Sequence, residues 1–337
     1  MRVRQQSLVL TFVFAITFFS IQSANAASFK YKRAGNKQDL ATSAEAGYAL
    51  MGGGSDLDEA FRFLCEKGKG GDFLVLRARG SADYNPYVKK LCKVNSVATL
   101  VIPDRTSAAD PKVVEIIRNA EAIFIAGGDQ SRYINFWQNT PTQDELNRHI
   151  AAGKPIGGTS AGLAVLGEFI YSAQGDAPDD DDLKSKLTLV DPYMPRVTVR
   201  KDFLKIDLLK NTLTDTHFKP RDRMGRSLTF LARISQDGWS KNPREIAVDE
   251  KSAVLLNPDG NGKVVGLGAG AYFMQTTEAP EVCREKMPLK FRNIDIHRVE
   301  TGGNFDLKSW SSKDGVSYRL SVIDGKIEST QAEGAVY

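Results

Sequence analysis

An α/β fold built on a mostly parallel sheet, with helices on both faces, is what this sequence predicts, and three observations predict it. From residue 47 to about 153, short continuous apolar runs alternate with amphipathic stretches. A strand buried on both faces needs such a run, and parallel neighbours need a crossover between them. Three of the runs end in glycine-rich turns, "GGGS" at 52–55, "GGDQ" at 127–130 and "GGTSAG" at 157–162. Ligands of such sheets collect at the carboxyl ends of the strands, where these turns fall. Finally, 337 residues at 42% hydrophobic and 26% charged fit a globular protein of one large or two smaller domains.

The elements follow in order. "GYALMGGGSDLDEAFRFL" reads as a short strand, a glycine turn and a helix with Asp56 near its start. "DFLVLRA", "SVATLVI" and "EAIFIAGG" are strands; "PYVKKLC", "PKVVEIIRNA" and "TQDELNRHIAAG" are the helices between and after them, the last ending at Gly153. "KPIGG" is a further strand, and "AGLAVLGEF" begins a helix. Beyond about residue 240 the runs become β-rich, and "DGNG" marks a hairpin. Two more hairpin-like turns in the last stretch suggest a small β appendage over 281–337, after an α/β domain over 44–280.

The amino terminus reads differently. Arg2 and Arg4 precede an apolar run from Leu8 to Ile21 and then Ala24-Asn25-Ala26, the pattern of a signal peptide cut after Ala26. A spanning helix needs roughly 20 apolar residues, more than this run supplies. Residues 27–43 read as a flexible lead, and the mature chain as a soluble secreted or periplasmic protein. Without Arg2 and Arg4 there are 43 basic and 41 acidic residues, so nothing global favours nucleic acid. Cys65, Cys92 and Cys283 lack metal-site spacing. At most one pair can bridge, and a buried free thiol is the ordinary expectation for Cys65 on its helix.

Ser160 lies in "GTSAG", the G-x-S-x-G pattern that turns a strand sharply into a helix and holds the hydroxyl above the sheet. A serine needs a base and a stabilised oxyanion to act as a nucleophile. The Ala161 N–H is one candidate oxyanion donor, and Gly128 in "AGGDQSRY" the other. Alternatively Ser160 simply caps a helix in a small-residue turn. Of three histidines, His149 fits a partly exposed helix face and His297 a surface strand. His217, in a polar turn beside Asp215 and ahead of Arg221, Arg223 and Arg226, is by elimination the base.

"GGDQ", "GGTSAG" and "DTHFKPRDRMGR" together resemble the cyanophycinases and their relatives, the serine exopeptidases that include dipeptidase E. The resemblance runs from about Gly47 to Ile234. It implies a flavodoxin-like sheet akin to glutamine amidotransferase domains, with Ser160 as nucleophile, His217 as general acid and base, and an acidic residue between them in sequence. Asp176 is the first choice for that residue and Asp179 the second, although an extra stretch around 176–200 blurs the assignment. The resemblance further implies that Gln130, Asp215, Thr216, Arg221, Arg223 and Arg226 line the substrate pocket. Cyanophycinases read "DQHF" where this chain has "DTHF", so Thr216 replaces a substrate-holding amide. The implied substrate is cyanophycin, multi-L-arginyl-poly-L-aspartate, or related aspartyl peptides, with no metal or organic cofactor. A homodimer is compatible with the family.

Two readings compete. An α/β-hydrolase esterase shares G-x-S-x-G and the Ser, Asp, His order but has no place for "GGDQ" or "RDRMGR". A peptide-binding protein that kept the fold and lost turnover is the other, since fold does not determine function. Asp176 and Asp179 to Asp182 read either as a solvated loop or as an attractant for an arginine-rich polymer.

Overall fold

The computed structural model of the chain describes residues 29–176 and 182–337. The expected signal peptide and Asp179 lie outside the described residues. Strand β1 (Lys30–Gly35) falls within the stretch expected as a flexible lead but pairs antiparallel with a later strand, and Arg33 also holds Asp72 at 2.8 Å. Then come β2 (Tyr48–Met51), α1 (Asp58–Lys67), β3 (Asp72–Arg77), α2 (Tyr84–Leu91), β4 (Ser96–Val101), α3 (Arg105–Ala108), α4 (Pro111–Arg118), β5 (Ala122–Ile125), α5 (Gln130–Trp137), α6 (Pro141–Ala151) and β6 (Ile156–Thr159). Asp104, Asp110 and Asp129 cap α3, α4 and α5, each accepting from a backbone N–H two or three residues on. The aspartates that punctuate the apolar runs are therefore helix starts.

These strands form a sheet whose middle is parallel, in the order β4-β3-β5-β6-β2, with every residue of β2, β4, β5 and β6 buried. One face packs on α1 and α2 through Phe61, Leu64, Val88, Phe73 and Phe124. The other packs on α4 and α6 through Val113, Ile117, Leu146 and Ile150. The fully apolar runs are what this two-sided burial requires.

The remainder departs from a single sheet. After α7 (Ala161–Ala164) the chain builds β7 (Phe169–Tyr171), α8 (Ser185–Val190), β8 (Val199–Lys201), β9 (Thr212–Asp215), α9 (Met224–Gln236), β10 (Arg244–Val248), β11 (Ser252–Leu256), β12 (Asn261–Gly266), β13 (Ala271–Gln275), β14 (Phe291–Val299), β15 (Asn304–Asp306), β16 (Val316–Ile323) and β17 (Lys326–Ser329). Strands β11, β12 and β15 extend the first sheet antiparallel from β2. The others make a second mixed sheet in the order β17-β16-β14-β13-β10-β9-β7-β8. The molecule is thus a mixed α/β fold of two sheets, not one mostly parallel sheet. Strands of three or four residues such as β7 and β9 carry too little pattern to say which sheet they join.

Residues 281–337 complete the edges of both sheets instead of hanging as an appendage. Phe273 of the second sheet stacks on Phe305 of the first at 3.7 Å between centroids, with Trp310 edge-on to both. The sheets share this core with Leu50, Ile246 and Val248, and their junction lies beside the β6 turn. Cys65 of α1 is bonded to Cys92 after α2, contrary to the free thiol expected, and Cys283 is the buried free cysteine. Helical and turn spacing put those two sulfurs together only once α1 and α2 pack on the same face. No helix of the described residues is long and apolar enough to cross a membrane.

Candidate active site

Ser160 follows β6 with φ +52° and ψ −121°, and α7 starts at the next residue. A non-glycine residue holds that backbone shape only where its surroundings enforce it. A Cβ on Gly162 would stand 2.0 Å from the Ile125 carbonyl oxygen, and one on Gly158 2.4 Å from the Gly162 backbone. The glycines around Ser160 are there because the turn brings backbone against backbone. The Ser160 N–H donates to the Met51 carbonyl at 3.1 Å, fastening the turn to the neighbouring β2.

His217 follows β9 in a second strained turn, φ +46°. Its N–H donates to the Gly52 carbonyl at 2.8 Å, and the next residue of the β2 turn, Gly53, lies under the imidazole. A Cβ at Gly53 would come within 2.4 Å of the His217 Cε1. The same glycine accepts the Lys251 N–H at 2.9 Å. The "GGGS" turn thus gathers the His217 and Lys251 loops beside the Ser160 turn, which Met51 holds one residue earlier.

Across this junction the His217 Nε2 stands 2.7 Å from the Ser160 Oγ, and its Nδ1 stands 2.6 Å from the Glu250 Oε1. With Nδ1 carrying the proton and donating to the carboxylate, Nε2 is left to accept from the serine hydroxyl. Burial pushes the His217 pKa below its ordinary value; Arg221 and Arg223 push the same way, and Glu250 opposes them. The bond to His217 holds Glu250 below the usual carboxylate range. We take the imidazole as neutral and the carboxylate as ionised near neutral pH.

Glu250 takes the place expected of Asp176. The Asp176 carboxylate instead accepts from the Arg196 Nε at 2.6 Å and the Tyr171 hydroxyl at 3.0 Å. The expectation failed because it looked for the acid between serine and histidine in sequence, whereas Glu250 follows both, at the carboxyl end of β10. The signal was available: "AVDE" places two acids where an apolar strand ends.

Ser160, His217 and Glu250 line a cleft of about 410 Å³ with Gly53, Gly54, Asp56, Arg77, Tyr84, Gly127, Thr159 and Arg221. Gly127 stands in the cleft beside Ser160, while Gly128, the expected oxyanion donor, is exposed outside its lining. Ala161 follows Ser160 directly, buried at the start of α7. Gln130 begins α5, half-buried and outside the lining.

Of the arginines expected in the pocket, only Arg221 lines it. Arg226 is 2% exposed and grips the Asp215 carboxylate, itself 2% exposed, through Nε at 2.8 Å and a second, shorter contact. Arg223 donates to the Thr216 carbonyl at 2.8 Å and to its hydroxyl at 3.1 Å, and holds Asp182 at 2.6 Å. Asp215, Thr216, Arg223 and Arg226 are therefore the buried buttress of the His217 turn, not its substrate-facing wall. His149 is buried too, with Nε2 3.0 Å from the Pro155 carbonyl oxygen, and burial lowers its pKa to about 4. His297, half-buried on β14, contacts the Asp314 carbonyl oxygen at 2.7 Å.

Part of the chain is similar in sequence to known peptidases. Residues 54–219 match the description of peptidase family S51. Over those residues this chain is similar to the S51 peptidases. A cyanophycinase of Geminocystis herdmanii is 26% identical over 226 residues, covering 64% of this chain and 74% of that one. A cyanophycinase of Synechococcus elongatus is 28% identical over 225 residues, covering 64% of this chain and 62% of its own length. A peptidase from an acI-B1 actinobacterium is similar in structure with a TM-score of 0.48 and 18% identity, covering 78% of this chain and 97% of that one. The S51 match contains Ser160 and His217 but ends before Glu250.

Proposed function

We propose that this chain is an exported serine-type exopeptidase that hydrolyses cyanophycin or related aspartyl peptides through an acyl-enzyme. The observation that carries the reading is the Ser160, His217 and Glu250 hydrogen-bonded chain. The Ser160 Oγ attacks the scissile carbonyl carbon while the His217 Nε2 takes its proton. The Glu250 carboxylate orients the ring and stabilises the imidazolium that forms. The negative oxygen of the tetrahedral intermediate accepts from the Ala161 N–H and from the backbone of the Gly127 turn, which stands in the cleft. As the carbon to nitrogen bond breaks, His217 returns the proton to the leaving amine. Water then repeats the sequence on the acyl-enzyme, His217 removing its proton and giving it back to Ser160.

The substrate class rests on the resemblance to S51 peptidases and cyanophycinases, and export on the sequence of residues 1–26. The cleft supports a polar substrate, since Asp56, Arg77, Arg221 and Glu250 are four of its lining residues. The test is incubation of the mature protein and of Ser160→Ala with purified cyanophycin, followed by mass spectrometry. Asp-Arg dipeptide from the parent alone is the expected result. Labelling of Ser160 by a serine-directed phosphonate without any aspartyl product would keep the chemistry and reject the substrate.

A further inference from the structure

Arg77 stands in the cleft but has no part in the Ser160, His217 and Glu250 chain. It is the last residue of β3, and the sheet order β3-β5-β6 puts it two strands from Ser160. Two strand spacings are about 10 Å. Less the reach of an arginine side chain, that leaves the span of about one residue, roughly 3.5 Å.

Its guanidinium is underused by the protein. One terminal N–H donates to the Ser81 carbonyl at 3.2 Å, and the Tyr84 ring centroid lies 5.7 Å away. The Nε is buried without a hydrogen-bond partner among the described residues. Among the described residues Arg77 forms no ion pair, whereas Arg221, the other guanidinium of the cleft, has Glu250 at 3.7 Å. Asp56 faces the same cleft, but its carboxylate accepts the Tyr84 hydroxyl at 2.8 Å. The loop is also shaped around the group. Gly80 has φ +125°, and a Cβ there would meet the Arg77 Cζ at 2.7 Å. A buried N–H left unpaired is costly, and a guanidinium is suited to two parallel bonds with a carboxylate.

We propose that Arg77 is a specificity-determining residue that binds a substrate carboxylate about one residue from the scissile bond. This assignment rests on the peptidase reading above. The carboxylate is either an aspartyl side chain or the free carboxyl terminus of the peptide; both present the same two oxygens.

The experiment uses four synthetic aspartyl peptides, one pair differing in a free or amidated carboxyl terminus and the other in Asp or Asn at one position. In the parent, one acid should have a KM about ten- to a hundredfold below its neutral partner. Arg77→Ala should erase that preference with kcat within about threefold, and Arg77→Lys should restore part of it. The pair that loses its preference identifies the source of the carboxylate. Equal KM values within both pairs for the parent, or a preference that survives in Arg77→Ala, would overturn the assignment. Calorimetric titration of Ser160→Ala with the same peptides reads binding without turnover. Acid and neutral forms bound alike, or not at all, reject Arg77 whether or not the parent hydrolyses anything. Phosphonate labelling of the parent separately reports the fate of the serine peptidase reading.

Discussion

His217 has two faces, and each makes a distinct demand. Its Nδ1 is committed to Glu250 and its Nε2 to Ser160. Replacing Glu250 by Gln should lower kcat by about 10²- to 10⁴-fold, because the amide no longer enforces the reactive tautomer. Asp176→Asn should leave kcat unchanged within about threefold, since its carboxylate serves Arg196 and Tyr171. Steady-state kinetics on one peptide checks both, and equal losses would restore Asp176 to the mechanism. The pH profile is a second residue-scale outcome. A base must be neutral to accept a proton, and His217 is pushed below the ordinary histidine value chiefly by burial. The kcat/KM should therefore rise with pH through a midpoint below about 6.5 and stay level above it. Glu250 is the group that holds the imidazole's proton affinity up, so the residual activity of Glu250→Gln should show a still lower midpoint.

At the scale of elements, strained turns are held by neighbours. The β9 to α9 turn that carries His217 rests on Asp215, Arg223 and Arg226, all almost fully buried. Buried ion pairs seldom exceed a well-packed apolar substitute in stability, but removing one partner strands a charge. Arg226→Ala should destabilise the protein by about 3–5 kcal/mol, measured by urea unfolding. A change in KM with unchanged unfolding would instead return Arg226 to the substrate pocket. The Cys65 to Cys92 bond ties α1 to the end of α2 across 27 residues. Closing a loop of that length stabilises by about 3–4 kcal/mol in the chain-entropy account. The double variant Cys65→Ala with Cys92→Ala should melt roughly 5–10 °C lower by circular dichroism, with the Ser160 and His217 chemistry intact.

The whole molecule is two sheets that meet where Ser160 faces His217. Ser160 comes from the first sheet, His217 and Glu250 from loops after strands of the second, and the end of β2 with its Gly52 and Gly53 turn bonds to all three loops. The last 57 residues close this arrangement: β14 covers the edge of β13, and Phe305 and Trp310 pack against Phe273. A chain truncated after Pro280 would expose the β13 edge and the apolar face of Tyr272 and Met274. Such a chain should be recovered mainly as aggregate, read by size-exclusion chromatography. A monodisperse truncated chain would mean that the two sheets stand without their shared rim.

Local pattern determined much of this protein from sequence. The apolar runs at β2 to β6, the amphipathic helices and the strained serine turn were legible because each depends on neighbours within about ten residues. Ser160 was nameable for the same reason, by its glycines, and His217 by scarcity, as one of three histidines in the chain. Glu250 for Asp176, the division into two sheets, the Cys65 to Cys92 pairing and the inward turn of Arg223 and Arg226 were decided only by tertiary structure. Each depends on which distant segments share a face, and burial, not residue type, decides whether an arginine meets substrate or a buried aspartate.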